Sequence, residues 1–326
     1  MDTTQVPHRN TTRRQSYSSS ESSSLDAAAH AATAIEDSHS SSPFCGRRAM
    51  VNKLWYRELA RKWFSRKFEP PHARCFSEAR CQDRLQPWYL AYRWLICLLW
   101  LSVVLCSVLE VGSVNPLGAW EKWPIYLTNW DLALGLTQAL LGAALASKRW
   151  VLQRKPDFDA SGMAYGKLEK VYWFLYVVTS SLAIGVTVTY WGLVHDAKIH
   201  HVDTLNILIH VSNSVFMLLD FCVAGVPFEL RCFWWSPLVA SFYLAFTVVY
   251  YVAGGLDKRG THKIYNVLDW QKPARTLLVC FGGLSFLVVT HCLLYFLARF
   301  RDRRQKGRVV VSDKADFDRR KSDSCV

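Results

Sequence analysis

Six stretches of this chain stay apolar for about the ~20 residues that an α-helix needs to cross a ~30 Å hydrocarbon core. They cover residues 88–109, 124–146, 168–194, 204–224, 235–253 and 274–298. The runs are too long and too continuously apolar for the alternating strands of a barrel, and a helix satisfies its own backbone in lipid. The pattern therefore predicts an all-α fold, a polytopic transmembrane helix bundle of about six spans over 88–298. Trp and Tyr crowd the span ends: Trp88 and Tyr89, Trp120 and Trp123, Tyr190 and Trp191, Trp234 and Trp235, Tyr250 and Tyr251. That is the pattern of an interfacial aromatic belt.

Outside the spans the pattern changes. Residues 1–50 are rich in Ser, Thr and Ala with no periodic apolar positions, which predicts a disordered tail. Residues 51–87 form a basic amphipathic juxtamembrane segment. Within 51–69, Leu54, Trp55, Leu59, Trp63, Phe64 and Phe68 recur at helical spacing, with Arg57, Arg61, Lys62, Arg66 and Lys67 between them. Such a helix either lies in the headgroup layer and attracts anionic lipid, or packs under the bundle with its charges in water. Residues 299–326 make a basic tail.

Composition sharpens this picture. The chain of 326 residues is 51% hydrophobic and 20% charged, with a net charge of +13. The charge is segregated into the ends and loops rather than spread over an amphipathic surface. Lys and Arg adjoining apolar spans read as the positive-inside bias, so nucleic acid is not an expected partner, whereas membrane lipids are. The segment before the first span, the 146–168 loop and the C-terminal flank carry most of these cations. With an even number of spans this predicts that both termini are cytoplasmic. The loop holding Lys258, Arg259, Lys263 and Lys272 runs against the rule.

None of the ten cysteines falls in a loop assigned to the outside, so no exofacial disulfide framework is expected. Cys45, Cys75, Cys81, Cys222 and Cys232, at or near the inner face, are candidate palmitoylation sites or plain thiols. The sequon at Asn10 would go unused on the cytoplasmic side. No cofactor or metal is expected: the loop from His195 to His201 carries three His without a second ligand cluster.

Polar groups inside a bilayer are costly, so they mark function or helix contacts. Thr128, Asp131, Gly135 and Gln138 share one face of the second span; Asn206, His210, Asn213, Met217 and Asp220 share one face of the fourth. At 1.5 Å per residue, Thr128 lies ~6 Å, Asp131 ~10 Å and His210 ~9 Å from the outer ends of their spans. A hydroxyl, an imidazole and a carboxylate thus share one depth. They suit either a Thr nucleophile with a His base, oriented by Asp131 or Asn213, or polar bonds between helices. Asp220 at ~24 Å and His291 at ~26 Å share the inner leaflet and are candidates to pair.

The run 123–130 (Trp-Pro-Ile-Tyr-Leu-Thr-Asn-Trp), the stretch 205–214 with Asp220, the basic-aromatic segment before the first span and the run 268–273 resemble the rolling stone family of membrane proteins. The resemblance covers about residues 50–300. It implies a multi-pass membrane protein, preferably of the plasma membrane, and an association with myoblast fusion. A more distant resemblance is to the androgen-induced gene family of intramembrane lipid hydrolases, which cleave fatty acid esters of hydroxy fatty acids with a threonine and a histidine. Tyr126-Leu127-Thr128 is similar to the start of their threonine span, and Asn206 with His210 to their histidine span. Two departures stand out: Ile207 follows Asn206 where those hydrolases carry His, and Asp220 replaces a span-ending Glu. Three expectations follow: a threonine-dependent lipid ester hydrolase, a non-catalytic membrane protein acting in cell–cell fusion or adhesion, and a small-solute transporter. The last lacks any visible inverted repeat.

Overall fold

The computed structural model describes residues 71–80, 82, 84–195 and 202–323, with side chains of the C-terminal helix to residue 303. The expected tail over 1–50, the amphipathic helix over 51–69, Asn10, Cys45, Cys81 and the loop histidines His200 and His201 lie outside the described residues.

Each apolar run forms a helix long and apolar enough to span a bilayer. They are α1 (Pro87–Val108), α2 (Leu127–Leu152), α3 (Lys167–Val194), α4 (Thr204–Val223), α5 (Leu230–Val252) and α6 (Pro273–Arg303). Pro87 begins α1 and Pro273 begins α6, where the missing N–H is no loss and φ is already helical. The Asp203 carboxylate caps α4 by accepting from the Asn206 N–H at 2.7 Å.

Several boundaries differ from the expected ones, each for a local reason. Pro124 lies in a 3₁₀ turn over Trp120–Ile125, so α2 starts three residues later than the apolar run. Tyr126 is extended, at φ −96° and ψ 131°, and as the N-cap it separates the 3₁₀ turn from the start of α2. Thr128 therefore sits in the first turn of α2 and not a full turn inside it. α2 also runs six residues past Ala146, because Arg149 in its last turn is held by Glu78 at 2.6 Å. Two spans contain wide turns: Tyr190–Val194 ends α3 as a π-helix, and Leu208–Ser212 is a π-helix inside α4. α6 continues helically to Asp323, into the segment read as a tail.

α3 is the most enclosed helix, packed against α2, α4, α5 and α6, while α1 packs chiefly on α2. Large apolar side chains point outward, among them Leu95 and Leu98 on α1, Phe242 and Val249 on α5, and Leu278 and Phe281 on α6. Arg93, Asp131, Gln138, Asp220 and His291 are buried. An apolar outer surface and inward-turned polar groups are expected where the solvent is hydrocarbon, while the core itself is also largely apolar.

The buried charges pair in a way the spacing did not foresee. Asp220 does not meet His291. Arg93 of α1 reaches across and bonds both Asp220 oxygens through one nitrogen, at 2.8 and 2.9 Å. The Tyr92 hydroxyl and the Gln138 amide donate to the same carboxylate, and the Tyr89 hydroxyl accepts from Arg93. His291 instead donates to the main-chain oxygen of Glu229 at 3.1 Å. Asp220 falls to Arg93 because the long guanidinium side chain reaches from α1 to α4, whereas His291 on α6 faces the turn that begins α5.

Close packing of α1 on α2 depends on Gly135. A Cβ there would lie 2.4 Å from the ring of Trp100, which is almost wholly buried. Gly135→Leu should lower bundle stability by about 1–3 kcal/mol, the usual cost of overpacking. A fluorescence size-exclusion melt in detergent would show this as an earlier loss of the monodisperse peak; an unchanged melt would mean that Trp100 has room to move.

At the end of the bundle where α1 begins, Ala73, Phe76, Ala79 and Leu85 are buried. Glu78 joins Arg149 to Arg74, and Arg149 lies 4.5 Å from the centroid of the Phe158 ring. The described residues of this segment, 71–80, 82 and 84–86, are thus part of the packed fold. Among the described residues, Cys75, Cys97, Cys106, Cys222, Cys232, Cys280 and Cys292 form no disulfide, and burial and the charge of Glu78 push the Cys75 thiol up.

Candidate functional site

The site lies at the opposite end, where α2 and α4 begin and α3 finishes. The Thr128 hydroxyl is 3.5 Å from Nδ1 of His210, and both residues are buried. The π turn of α4 carries His210, and such turns are common where a side chain must be re-aimed for function. The Tyr190 ring, in the π turn of α3, lies flat on the imidazole with centroids 3.3 Å apart and planes 7° apart. The Tyr190 hydroxyl donates to the Asn206 side chain at 2.6 Å. Tyr190 therefore holds the His210 ring plane and ties α3 to the start of α4.

Asp131 and Asn213 also come together. The Asn213 amide donates to Asp131 Oδ2 at 2.8 Å, and Oδ1 is buried without a hydrogen-bond partner among the described residues. Their link to His210 runs through Thr187. Its hydroxyl donates to the His210 main-chain oxygen at 2.6 Å and lies 3.2 Å from Asn213 Oδ1 and 2.7 Å from Ser214 Oγ. The Asp131–Asn213 pair thus braces the backbone that carries the imidazole. Cohesion of this kind also fits polar bonding between α2, α3 and α4.

Thr128 opens onto a polar cavity of about 180 Å³, walled by Glu110, Asn129, Asp203, Asn206, Lys258 and Tyr265, among others. Three loops cross-tie above it. Glu110, in the left-handed region at φ 56°, accepts from the Leu117 N–H at 2.5 Å, and Asp203 accepts from the Val114 N–H at 2.8 Å. Lys258 donates to the Asn115 main-chain oxygen, Lys122 to that of Asp257, and Lys263 pairs with Asp269 at 2.9 Å. Two of the four cations that run against the charge rule, Lys258 and Lys263, serve here as loop ties. Burial and the neighbouring Arg259 push the Lys258 ammonium down.

Tyr265 bonds the first turn of α2, its hydroxyl accepting from the Leu127 N–H at 2.9 Å. Burial pushes the Tyr265 phenol well up, and burial together with Asp257 pushes that of Tyr126 up to about 12, so both stay neutral hydroxyls in ordinary buffers. Tyr190, Thr187 and Tyr265 were not among the candidates from sequence. Tyr190 resembles the belt aromatics around it, Thr187 is one hydroxyl in an apolar helix, and Tyr265 comes from a loop 137 residues after Thr128. Only the close polar grouping Thr187–Thr189–Tyr190 near a span end hinted at any of them.

Comparison with known proteins adds one identification. The family described as "Protein rolling stone" matches residues 49–315. Protein rolling stone of Drosophila melanogaster is 30% identical over 253 residues, which is 75% of this chain and 88% of that protein. No solved structure matches the chain.

Proposed function

The chain belongs to the rolling stone family and is a multi-pass membrane protein, and we propose that it hydrolyses lipid esters within the membrane. One observation carries the reading: a buried threonine hydroxyl within reach of an imidazole, at the floor of a polar cavity. Thr128 Oγ1 attacks the ester carbonyl carbon while His210 Nδ1 takes its proton, the pairing used by hydroxyl nucleophiles generally. A separation of 3.5 Å before substrate binds is compatible with this, since catalytic bonds tighten in the complex. The positive end of the α2 dipole lies at Thr128 and favours the developing oxyanion. Collapse breaks the bond to the alcohol oxygen, which leaves with the proton held by His210. Water, deprotonated by the same imidazole, then releases the acid and restores Thr128. Asp131, Asn213, Thr187 and Tyr190 act as positioning residues. The distribution of basic residues supports termini on the cytoplasmic side, and the plasma membrane is the expected site.

A fluorophosphonate probe tests the nucleophile directly. Thr128→Ala should abolish labelling of the purified protein while leaving its size-exclusion profile unchanged. Wild-type protein that is folded yet unlabelled would refute an activated Thr128. It would favour a second reading, a non-catalytic membrane protein in cell–cell fusion or adhesion. The Thr187–Asn213–Ser214 bonds support that alternative, because they suit helix cohesion as well as catalysis.

A further inference from the structure

Thr128 is a wall of two cavities. Besides the polar one, it lines a second of about 130 Å³ that extends among α3, α5 and α6. Thr128, Tyr190, Val194 and Tyr265 belong to both. The two cavities differ in their walls: the first mixes charged and polar groups with apolar ones such as Leu205 and Ile209, and the second is almost wholly apolar. The first holds carboxylates, amides and cations; the second is lined by Leu182, Val186, Leu244, Val279, Leu284 and Leu287. Along α6 the apolar lining runs from Val279 to Leu287, about 12 Å of helix.

Gly283 explains why this second space is open. Gly135 and Gly185 permit close contact: a Cβ on Gly135 would strike Trp100, and one on Gly185 would lie 2.7 Å from Leu287, while Gly282, like Gly283, meets nothing but does not line the groove. A Cβ on Gly283 meets nothing within 4 Å. Gly283 therefore does not serve helix packing; its missing side chain leaves the groove unfilled and open to the lipid-facing surface, where Gly283 is exposed.

We propose that this groove holds the acyl chain of a membrane lipid ester, with the carbonyl at Thr128 and the alcohol portion in the polar cavity. The inference rests on the hydrolase reading and adds the direction in which the substrate lies. An acyl chain is the occupant because the groove lies within the spans, is continuous with the Thr128 site and presents few hydrogen-bonding groups. At that depth the surrounding solvent is itself acyl chain. The polar half of the molecule then stays toward the outer end, where its desolvation is least costly.

The test uses full-length protein in phosphatidylcholine nanodiscs and a phosphatidylcholine whose acyl chain carries a diazirine. Photolabelling followed by peptide mapping should place the probe on groove residues such as Leu244, Val279 and Cys280. Gly283→Leu should cut that labelling about tenfold, roughly what losing two buried methylenes would do. Gly282→Leu, one residue earlier and about 100° around the helix, should not. Fluorophosphonate labelling of Thr128 should persist in Gly282→Leu, and its level in the wild type tests the ester chemistry separately. Groove labelling unchanged by Gly283→Leu, or label spread evenly over the outer faces of α1, α5 and α6, would overturn the acyl groove and leave the hydrolase intact. Groove labelling lost in Gly283→Leu, with Thr128 inert to fluorophosphonate, would support the acyl site and overturn the ester chemistry.

Discussion

Asp220→Ala should destabilise the bundle by about 3–5 kcal/mol, the cost of leaving a buried partner charge uncompensated. The stranded group is Arg93, which is almost wholly enclosed and has Asp220 as its counter-charge. Tyr89 can accept from the guanidinium but cannot neutralise it. Arg93→Ala should be comparably harmful, since it leaves the carboxylate with only the Tyr92 hydroxyl and the Gln138 amide. The informative variant is the double one. Replacing a buried pair by apolar residues of similar volume is often neutral or stabilising, so Arg93→Met with Asp220→Leu should recover most of the loss. Thermal melts of purified protein, followed by size exclusion, measure all three. A double variant as weak as the singles would mean that Arg93 and Asp220 also orient Tyr89, Tyr92 and Gln138 for packing.

His210→Ala should slow fluorophosphonate labelling of Thr128 by about 10²–10⁴-fold, the usual contribution of a positioned general base. Its fold should survive better than that of the Asp220 variant, because the Thr187 bond goes to the main-chain oxygen of residue 210 and not to the ring. Tyr190 separates positioning from chemistry. Tyr190→Phe keeps the ring on the imidazole and loses the bond to Asn206; Tyr190→Leu loses both. Labelling should fall little in the first and markedly in the second, with the pH profile retaining its shape in each while His210 remains the base. Equal loss in both would assign the role to the Asn206 bond, and no loss in either would remove Tyr190 from the site.

The residue pattern made some of this protein legible and hid the rest. Six spans were readable because a lipid solvent demands long apolar helices, and no tertiary contact is needed to impose that length. The polar faces of α2 and α4 were readable for a related reason: a polar group in hydrocarbon must turn inward, and helical periodicity shows which groups turn together. Thr128, Asp131, His210 and Asn213 do converge. Which of them touch was hidden. Spacing offered Asp131 as a partner for His210, but its carboxylate went to Asn213, because one π turn in α4 shifts the residues that follow it. Asp220 and His291 share a depth, yet depth says nothing about which helices are neighbours, and α1 delivered Arg93 instead. Periodicity within one helix determines a residue's face and level. Its partner is decided by how neighbouring helices cross and by where a proline or a π turn changes the phase. Those are properties of the assembled bundle, in which side chains far apart along the chain compete for the same few ångströms.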